Sequence, residues 1–380
     1  MKRVPQLPQE IIANILSRLP VKHLIQLKCV SKPWRSLISD PQFAKLHLEA
    51  QYSHNRRVLL FTEPLESAAC EASDDDLEDI KSKLIMELQF PVAMNEGVEG
   101  WPESGGSCNG LICIVFDHQR VLIWNPTIRE AKEFAKLSDF DPKGTFFYGL
   151  GYDPSTDDYK IVRISRSSTV TTASDETQVE VLALKSNIWR RIQSPQPSIE
   201  IKGPDYGIFL QGALHWLAAI SKTGSKTTYA IVAFDMVKEN FYELVPIPDQ
   251  IEENQYNTLT LGISGDNYLC LFSGCGHADV MEAWLLKEYG TKSSWTRLFS
   301  VERQMDHDQI YIENYENVLC YTNSGKVVID HDGRALIWYD PKENIFKSFT
   351  PRNDWDGFTP VIYIESLVSP NSYIQLPICR

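Results

Sequence analysis

The segment YGLGYDPSTDDYKIVRI, residues 148–164, decides the fold class of this chain. Apolar residues alternate with small or polar ones on both sides of Asp153-Pro154, a pair typical of type I turns. Tyr152 precedes this turn, and a second aromatic residue, Tyr159, stands seven positions later. Alternation on both sides of a short turn predicts an antiparallel β-hairpin.

The same unit recurs along the chain. An aromatic residue is followed by Asn or Asp at Trp124-Asn125, Phe234-Asp235 and Tyr339-Asp340. An aromatic residue again stands seven positions later at Phe241 and Phe346, whereas the first unit has Ala131 there. Tight hairpin turns are predicted at Asn109-Gly110, Gln211-Gly212, Gly265-Asp266 and Ser324-Gly325. Together these signals predict five four-stranded blocks that start near residues 107, 145, 207, 258 and 316, a spacing typical of propeller blades.

A sixth sheet is predicted from both ends of this region. Strands at 57–62 and 84–90 would join a C-terminal strand within 361–368 and so close the ring. We therefore expect six blades, with five and seven as open alternatives. Between the first two strands, residues 63–79 hold eight acidic residues and no basic one, which predicts a solvated loop.

The N-terminal part is predicted to be helical, because residues 5–48 carry three helical patterns. Ile11, Ile12 and Ile15 begin an apolar stripe, and Pro20 ends that helix. Asp40-Pro41 is predicted to end the third helix. The fold class is thus α+β multidomain, with a three-helix head at 1–49, a linker with strands at 50–104 and an all-β propeller-like domain at 105–380.

Charge separates the same two modules. The 380 residues carry a net charge of −13, of which residues 1–50 contribute +5, leaving −18 for the remainder. An acidic body argues against general binding to nucleic acid, which needs a basic face. No apolar run predicts a membrane span or a signal peptide, and the eight cysteines include no CxxC pair. We expect a protein of the cytosol, the nucleus or both.

No catalytic or metal constellation emerges. Residues 106–110, Gly-Ser-Cys-Asn-Gly, have the outer glycines of a nucleophile elbow but are predicted to form a hairpin turn. His215 is predicted to lie in a strand. Two cysteine groups, Cys108 with Cys113 and Cys270 with Cys275 and His277, lack the spacing and the four ligands of structural zinc. We therefore predict no catalytic residue, no metal and no cofactor.

Two stretches resemble known families. Residues 7–43, LPQEIIANILSRLPVKHLIQLKCVSKPWRSLISDPQF, resemble an F-box. The segments SCNGLICI, VLIWNPTIRE, GALHWLA and YIESLVSP, with the hairpin at 148–164, resemble the plant F-box-associated domain over about residues 100–370. The nearest groups are S-locus-type and defence-regulating F-box proteins.

The resemblance implies a non-catalytic substrate receptor of a Skp–cullin–F-box (SCF) ubiquitin ligase. The head would bind a Skp-family adaptor, and through it a cullin–RING ligase, with Leu7, Pro8, Ile11, Ile12, Leu16, Leu19, Pro20, Leu24, Leu27, Val30 and Trp34. The body would hold a target protein whose surface we expect to be basic, and we expect no nucleic-acid or membrane partner. The alternatives are an F-box scaffold that acts outside a ligase and a glycan-active propeller enzyme.

Overall fold

The structure, a computed structural model, covers most of the chain. It describes residues 7–51, 56–62, 64–89, 102–136, 144–166, 177–194, 199–202, 206–220, 228–251, 259–274, 280–302, 316–351 and 360–373.

The head contains four helices and not the predicted three. They are α1 (Gln9–Leu16), α2 (Val21–Leu27), α3 (Lys32–Ile38) and α4 (Pro41–Gln51). The Asp40 carboxylate accepts a hydrogen bond from the Gln42 amide at 2.8 Å, so Asp40-Pro41 ends α3 and also begins α4. None of the described helices is long and apolar enough to cross a membrane.

The strands form groups of four or five along the chain. Blade 1 contains β1 (Arg56–Leu60), β2 (Leu65–Ala69), β3 (Ile85–Leu88) and β25 (Pro360–Ile364). Blade 2 contains β4 (Glu103–Cys108), β5 (Leu111–Phe116), β6 (Arg120–Asn125) and β7 (Glu130–Phe134). Blade 3 contains β8 (Thr145–Asp153), β9 (Asp158–Arg166), β10 (Thr177–Ala183) and β11 (Ile188–Ile192).

The second half of the chain continues the pattern. Blade 4 contains β12 (Ile199–Lys202), β13 (Ile208–Leu210), β14 (Ala213–Ile220), β15 (Thr228–Asp235) and β16 (Asn240–Pro246), with β12 and β13 both paired to β14. Blade 5 contains β17 (Thr260–Ser264), β18 (Leu269–Ser273), β19 (Val280–Leu286) and β20 (Trp295–Glu302). Blade 6 contains β21 (Glu316–Tyr321), β22 (Val327–His331), β23 (Ala335–Asp340) and β24 (Ile345–Phe349). Blades 5 and 6 share one hydrogen-bonded sheet through a short parallel pairing of β17 with β21.

The blades form a closed ring. Among the described residues, six apolar clusters each join two neighbouring blades, namely 1 with 2, 2 with 3, 3 with 4, 4 with 5, 5 with 6, and 6 with 1. Each blade therefore buries both faces, which is why its middle strands are apolar on successive residues. The expected N-terminal helical head followed by a propeller-like β domain is confirmed.

Ring closure uses strands from both ends of the propeller. Strand β25 pairs antiparallel with β1 over five residue pairs, from Arg56–Ile364 to Leu60–Pro360. The carbonyls of Pro360 and Ile362 face the other way, toward the hydroxyls of Tyr206 and Ser107. Pro360, which has no amide hydrogen, thus occupies a position that requires no donor to β1.

The recurring turn has the same geometry in four blades. The side chains of Asn125, Asp153, Asp235 and Asp340 each accept a hydrogen bond from the amide two residues later, at 2.8–2.9 Å. The fourth residue after each has a left-handed φ of 52–60°, at Arg129, Asp157, Glu239 and Asn344. The aromatic residues seven apart are cross-strand partners, with ring centroids 4.4–5.0 Å apart in Tyr152–Tyr159, Phe234–Phe241 and Tyr339–Phe346.

The acidic segment is not a loop, although Asp74 and Glu78 are largely exposed to solvent, as its charge predicted. It contains β2 and one short helix, α5 (Asp74–Leu77), and a second short helix, α6 (Ile80–Lys83), follows it directly. Leu77 is buried in the cluster between blades 6 and 1. Lysines of blade 6 pair with the acids, Lys326 with Asp74 at 2.9 Å and Lys347 with Glu78 at 3.1 Å. Acid composition alone did not predict this structure, because the blade 6 residues that pack against Leu77 and the two basic partners are distant in sequence.

Buried Asp330 in blade 6 gives a pH prediction. Burial raises the pKa of this carboxyl to about 7, although the Gly333 amide donates to it at 3.0 Å. In the unfolded chain an aspartate has a pKa of about 4, so between pH 4 and 7 the Asp330 carboxyl is protonated in the folded state and ionised in the unfolded state. The free energy of unfolding therefore falls as the pH rises from about 4 through 7. We expect wild type to lose about 2–3 kcal/mol between pH 5 and 8 through this group, and Asp330→Asn not to. Urea unfolding of both proteins at the two pH values checks this, and an identical pH dependence would contradict it.

Candidate functional site

The exposed face of the head is an apolar stripe along α1. Leu7, Ile11 and Ile15 are spaced four residues apart, and 58%, 46% and 52% of their surfaces are exposed. Ile11 and Ile15 therefore lie on one side of α1, and Leu7 lies two residues before this helix begins. We name these three residues the head stripe. Pro8, Pro20 and Val30, which are also exposed, lie in the turns of the same small domain.

The eleven residues predicted to bind the adaptor separate into three groups. Leu7, Pro8, Ile11, Pro20 and Val30 are exposed, and Ile12, Leu19, Leu27 and Trp34 are half-buried. Leu16 and Leu24 are buried inside the head, so their prediction as contact residues is corrected: they form its core. Ile15, which was not among the eleven, is exposed as well, and its position four residues after Ile11 was a usable signal.

The head core is completed by the propeller. Leu367, which follows the closing strand β25, is buried in the same cluster as Leu16 and Leu24. Ile128, from the β6–β7 turn of blade 2, packs against this cluster as well. A domain of about 40 residues rarely buries enough apolar surface to be stable alone. The sequence left open whether the head packs on its own body, and the structure shows that it does.

Polar contacts hold α4 in place from both sides. The Lys45 ammonium lies 2.5 Å from the Asp157 carboxylate in the β8–β9 turn, and the Tyr152 hydroxyl donates to the same carboxylate at 2.6 Å. Within the head, His47 Nε2 lies 2.8 Å from the Leu19 carbonyl, and burial lowers the His47 pKa. Neutral His47 therefore donates to that carbonyl and connects α4 to the end of α1.

Asn125 explains why the first recurring turn has Asn where the others have Asp. Its side-chain oxygen accepts from the Thr127 amide, as in the other turns. Its side-chain nitrogen donates to the carbonyls of Ser366 at 3.1 Å and Val368 at 2.7 Å. An aspartate could accept but not donate, so only the amide can fix the turn and hold the segment on each side of Leu367.

A cavity of about 430 Å³ opens where the turns of blades 2 to 5 meet, on the side of the ring that carries the head. Its wall includes Asn109, Tyr152, Phe209, Gln211, Asp266 and Tyr268. Ligand pockets commonly have about 300–1,000 Å³. Because Tyr152 also donates to Asp157, the cavity wall and the head meet at one carboxylate.

The residues considered for catalysis occupy structural positions. Cys108 is buried at the end of β4, and burial raises the pKa of its thiol well above the ordinary range. Asn109 and Gly110 have left-handed φ values of 53° and 85°, as the predicted hairpin requires. His215 is buried in β14 between the Ile208 carbonyl and the Tyr289 hydroxyl, and burial lowers its pKa to about 4.

The metal candidates are buried in the blades or lie outside the described residues. Cys113 is buried in the cluster between blades 2 and 3, as its strand position predicted. Cys275 and His277 lie outside the described residues. Within the described ranges, no three His, Cys, Asp or Glu side chains lie close enough together to hold a metal ion.

Two family models match the chain. Residues 4–46 match the F-box domain, and residues 76–370 match the F-box associated β-propeller domain. Among curated relatives, "F-box protein CPR1" of Arabidopsis thaliana is 28% identical, over 95% of this chain and 88% of its own length. "F-box/kelch-repeat protein At3g23880" of the same plant is also 28% identical, over 96% of each chain. Among solved structures, an oligogalacturonate lyase in complex with manganese reaches a TM-score of 0.40 at 9% identity, over 78% of this chain and 73% of its own, which is too low to carry an argument.

The shared core gives a prediction for Leu367. Leu367→Ala removes buried atoms from the head core and should cost about 2–5 kcal/mol. This free energy is lost from the packing of the head on the propeller, so the head should open more often. Backbone amides of α1 and α2 should therefore exchange at least about thirtyfold faster in hydrogen–deuterium exchange. Ile345→Ala, at an exposed position of β24, is the control and should change nothing. Unchanged exchange in the head of Leu367→Ala would contradict a shared core.

Proposed function

The chain belongs to the family of proteins with an F-box associated β-propeller domain, and we propose that it is the substrate-recognition subunit of an SCF-type ubiquitin ligase. In this proposal the head binds a Skp-family adaptor, and the propeller holds a target protein for ubiquitination. The observation that carries the proposal is the head stripe, which lies on the segment that matches the F-box domain.

The head stripe supports binding to a protein partner for a physical reason. Three large apolar side chains are exposed at one end of the head, while the core of the head is formed by other apolar residues such as Leu16, Leu24 and Ile38. Covering the exposed side chains removes apolar surface from water, which stabilises a complex by about 25 cal/mol per Å². The basic balance of residues 1–50, +5, favours an acidic face on the adaptor.

The propeller supplies no chemistry of its own in this proposal. Transfer of ubiquitin then depends on tethering, because a target held close to a charged conjugating enzyme reacts at a high effective concentration. The net charge of −18 beyond residue 50 favours a target with a basic surface. The cavity at the junction of blades 2 to 5 is a candidate contact for such a target.

We place this activity in the cytosol, the nucleus or both. Six cysteines among the described residues are free thiols, five of them buried, which agrees with a reducing compartment.

Adaptor binding is testable by co-expression and size exclusion. The full chain and a Skp-family adaptor should elute as a one-to-one complex. The double variant Leu7→Ser, Ile11→Ser should weaken it by about a thousandfold, if each residue contributes about 2 kcal/mol as central interface residues do. Leu46→Ser, at another exposed leucine of the head, is the matched control and should keep the complex.

The outcome also separates the alternatives. A folded wild-type protein that forms no complex with the adaptor would overturn the proposal and would favour the alternative of a propeller enzyme. A complex that forms but supports no ubiquitination with cullin, RING protein and conjugating enzyme would instead favour an F-box scaffold outside a ligase. Leu16 is not a useful test position, because its substitution would disrupt the head core.

A further inference from the structure

The segment after the closing strand contacts three parts of the molecule with three consecutive residues. Ser366 is fully buried and accepts from the Asn125 side chain. Leu367 enters the head core. Val368 is buried in the cluster between blades 2 and 3. We name residues 366–369 the docking segment.

The end of this segment is tied to the same blade. The Ser369 hydroxyl donates to the carboxylate of Glu130, at the start of β7, and the Asn371 side chain donates to that carboxylate at 3.2 Å. The Glu130 charge also acts on Lys28 of the head, where it partly offsets the lowering of the Lys28 pKa by burial. The docking segment is therefore held on both sides of Leu367.

The segment is also fixed at its start by ring closure. It begins two residues after β25, whose five residue pairs with β1 fix its position. Gly110, in the β4–β5 turn, passes directly against it: a Cβ atom at this glycine would stand 2.6 Å from the Cβ of Ser366 and 2.8 Å from the Ile364 carbonyl oxygen. The backbone that leads to Leu367 is thus fixed by ring closure, and the Leu367 side chain lies in the head core.

A second contact, 210 residues earlier in the chain, fixes rotation about the first. The Lys45–Asp157 pair joins α4 to blade 3, and the Asp157 backbone has the left-handed φ of the recurring turn. One apolar anchor alone would let a small domain pivot. Two anchors, on residues 367 and 157, define an orientation, although the ion pair is half-exposed and contributes at most about 1 kcal/mol alone.

We propose that Leu367, Asn125 and Asp157 are positioning residues of the ligase. They fix the F-box on the propeller in one orientation, and this orientation decides which lysines come within reach of the charged conjugating enzyme. The inference rests on the proposed function, because it assigns a role in ubiquitin transfer. It goes beyond that function because it names residues that determine which lysines accept ubiquitin without contacting either the adaptor or the target.

The chain itself offers a substrate for the test, since its own lysines can accept ubiquitin in a reconstituted ligase. The loosened variant is Ile128→Ser with Asp157→Arg, which changes only the body and adds no acceptor lysine. Its matched control is Ile345→Ser with Asp249→Arg, at an exposed isoleucine of blade 6 and at an aspartate that pairs with Lys292 at the same 2.5 Å. The restoring variant adds Lys45→Asp to the loosened variant, which reverses the ion pair, and position 45 is left out of the lysine comparison.

Ubiquitinated lysines are mapped by mass spectrometry after reaction with adaptor, cullin, RING protein, conjugating enzyme and ubiquitin. In the wild type and the control, we expect one restricted set of lysines. In the loosened variant, the share of ubiquitin on other lysines should rise about fivefold, and the reversed pair should return it toward the wild-type set. Adaptor affinity should stay the same in the wild type, the loosened variant and the control, whose head sequences are identical.

The results distinguish the two proposals. An unchanged lysine pattern in the loosened variant, with normal adaptor binding, would overturn the positioning role and leave the receptor function intact. An equal change in the control would also overturn it, since the effect would then come from surface charge. Adaptor complexes without any ubiquitin transfer would instead remove the proposed function on which the inference rests.

Discussion

The pairing of β25 with β1 is the interaction on which the rest of the structure depends. Every blade buries both faces against its neighbours, so an open ring would expose two apolar faces and two unpaired strand edges at once. In blade 1, β25 from the end of the propeller pairs with β1, the first of three strands from its start, so neither of these edges is left unpaired. The clusters on each side of blade 1 contain residues from both ends of the propeller, which makes closure a long-range and cooperative step.

Closure of the ring by β25 also determines where the head packs on the propeller. Three residues after β25, Leu367 completes a helical core that would otherwise be too small, and Asn125 holds the chain on each side of it. The structure thus joins the two modules through the last strand and not only through the covalent link near residue 51. The buried half of the head serves this junction, and the exposed half presents Leu7, Ile11 and Ile15 to a partner.

Much of the fold was predictable because its signals are local. The aromatic–Asp turns, the hairpin at Asn109-Gly110 and the helix stops at Pro20 and Asp40 each lie within a few residues. What could not be predicted depends on contacts between distant residues. Leu16 and Leu24 have the spacing of interface residues but form the core of the head. The acidic segment has the composition of a loop but is folded, because Leu77 packs between blades 6 and 1 and exposed acids pair with Lys326 and Lys347. The roles of Leu367 and Asp157 had no local signal at all, since each acts on a head more than 100 residues away.

The central claim is that the head is fixed on the propeller with and without its adaptor. Double electron–electron resonance tests it directly, with spin labels at Ser36→Cys in α3 and Val237→Cys in blade 4, both exposed positions. Exposed Cys29 and the cysteines at 275 and 379 are replaced by serine beforehand. The account predicts one narrow distance that stays the same when a Skp-family adaptor is added. A broad distribution in the free chain, or a distance that shifts on binding, would contradict it.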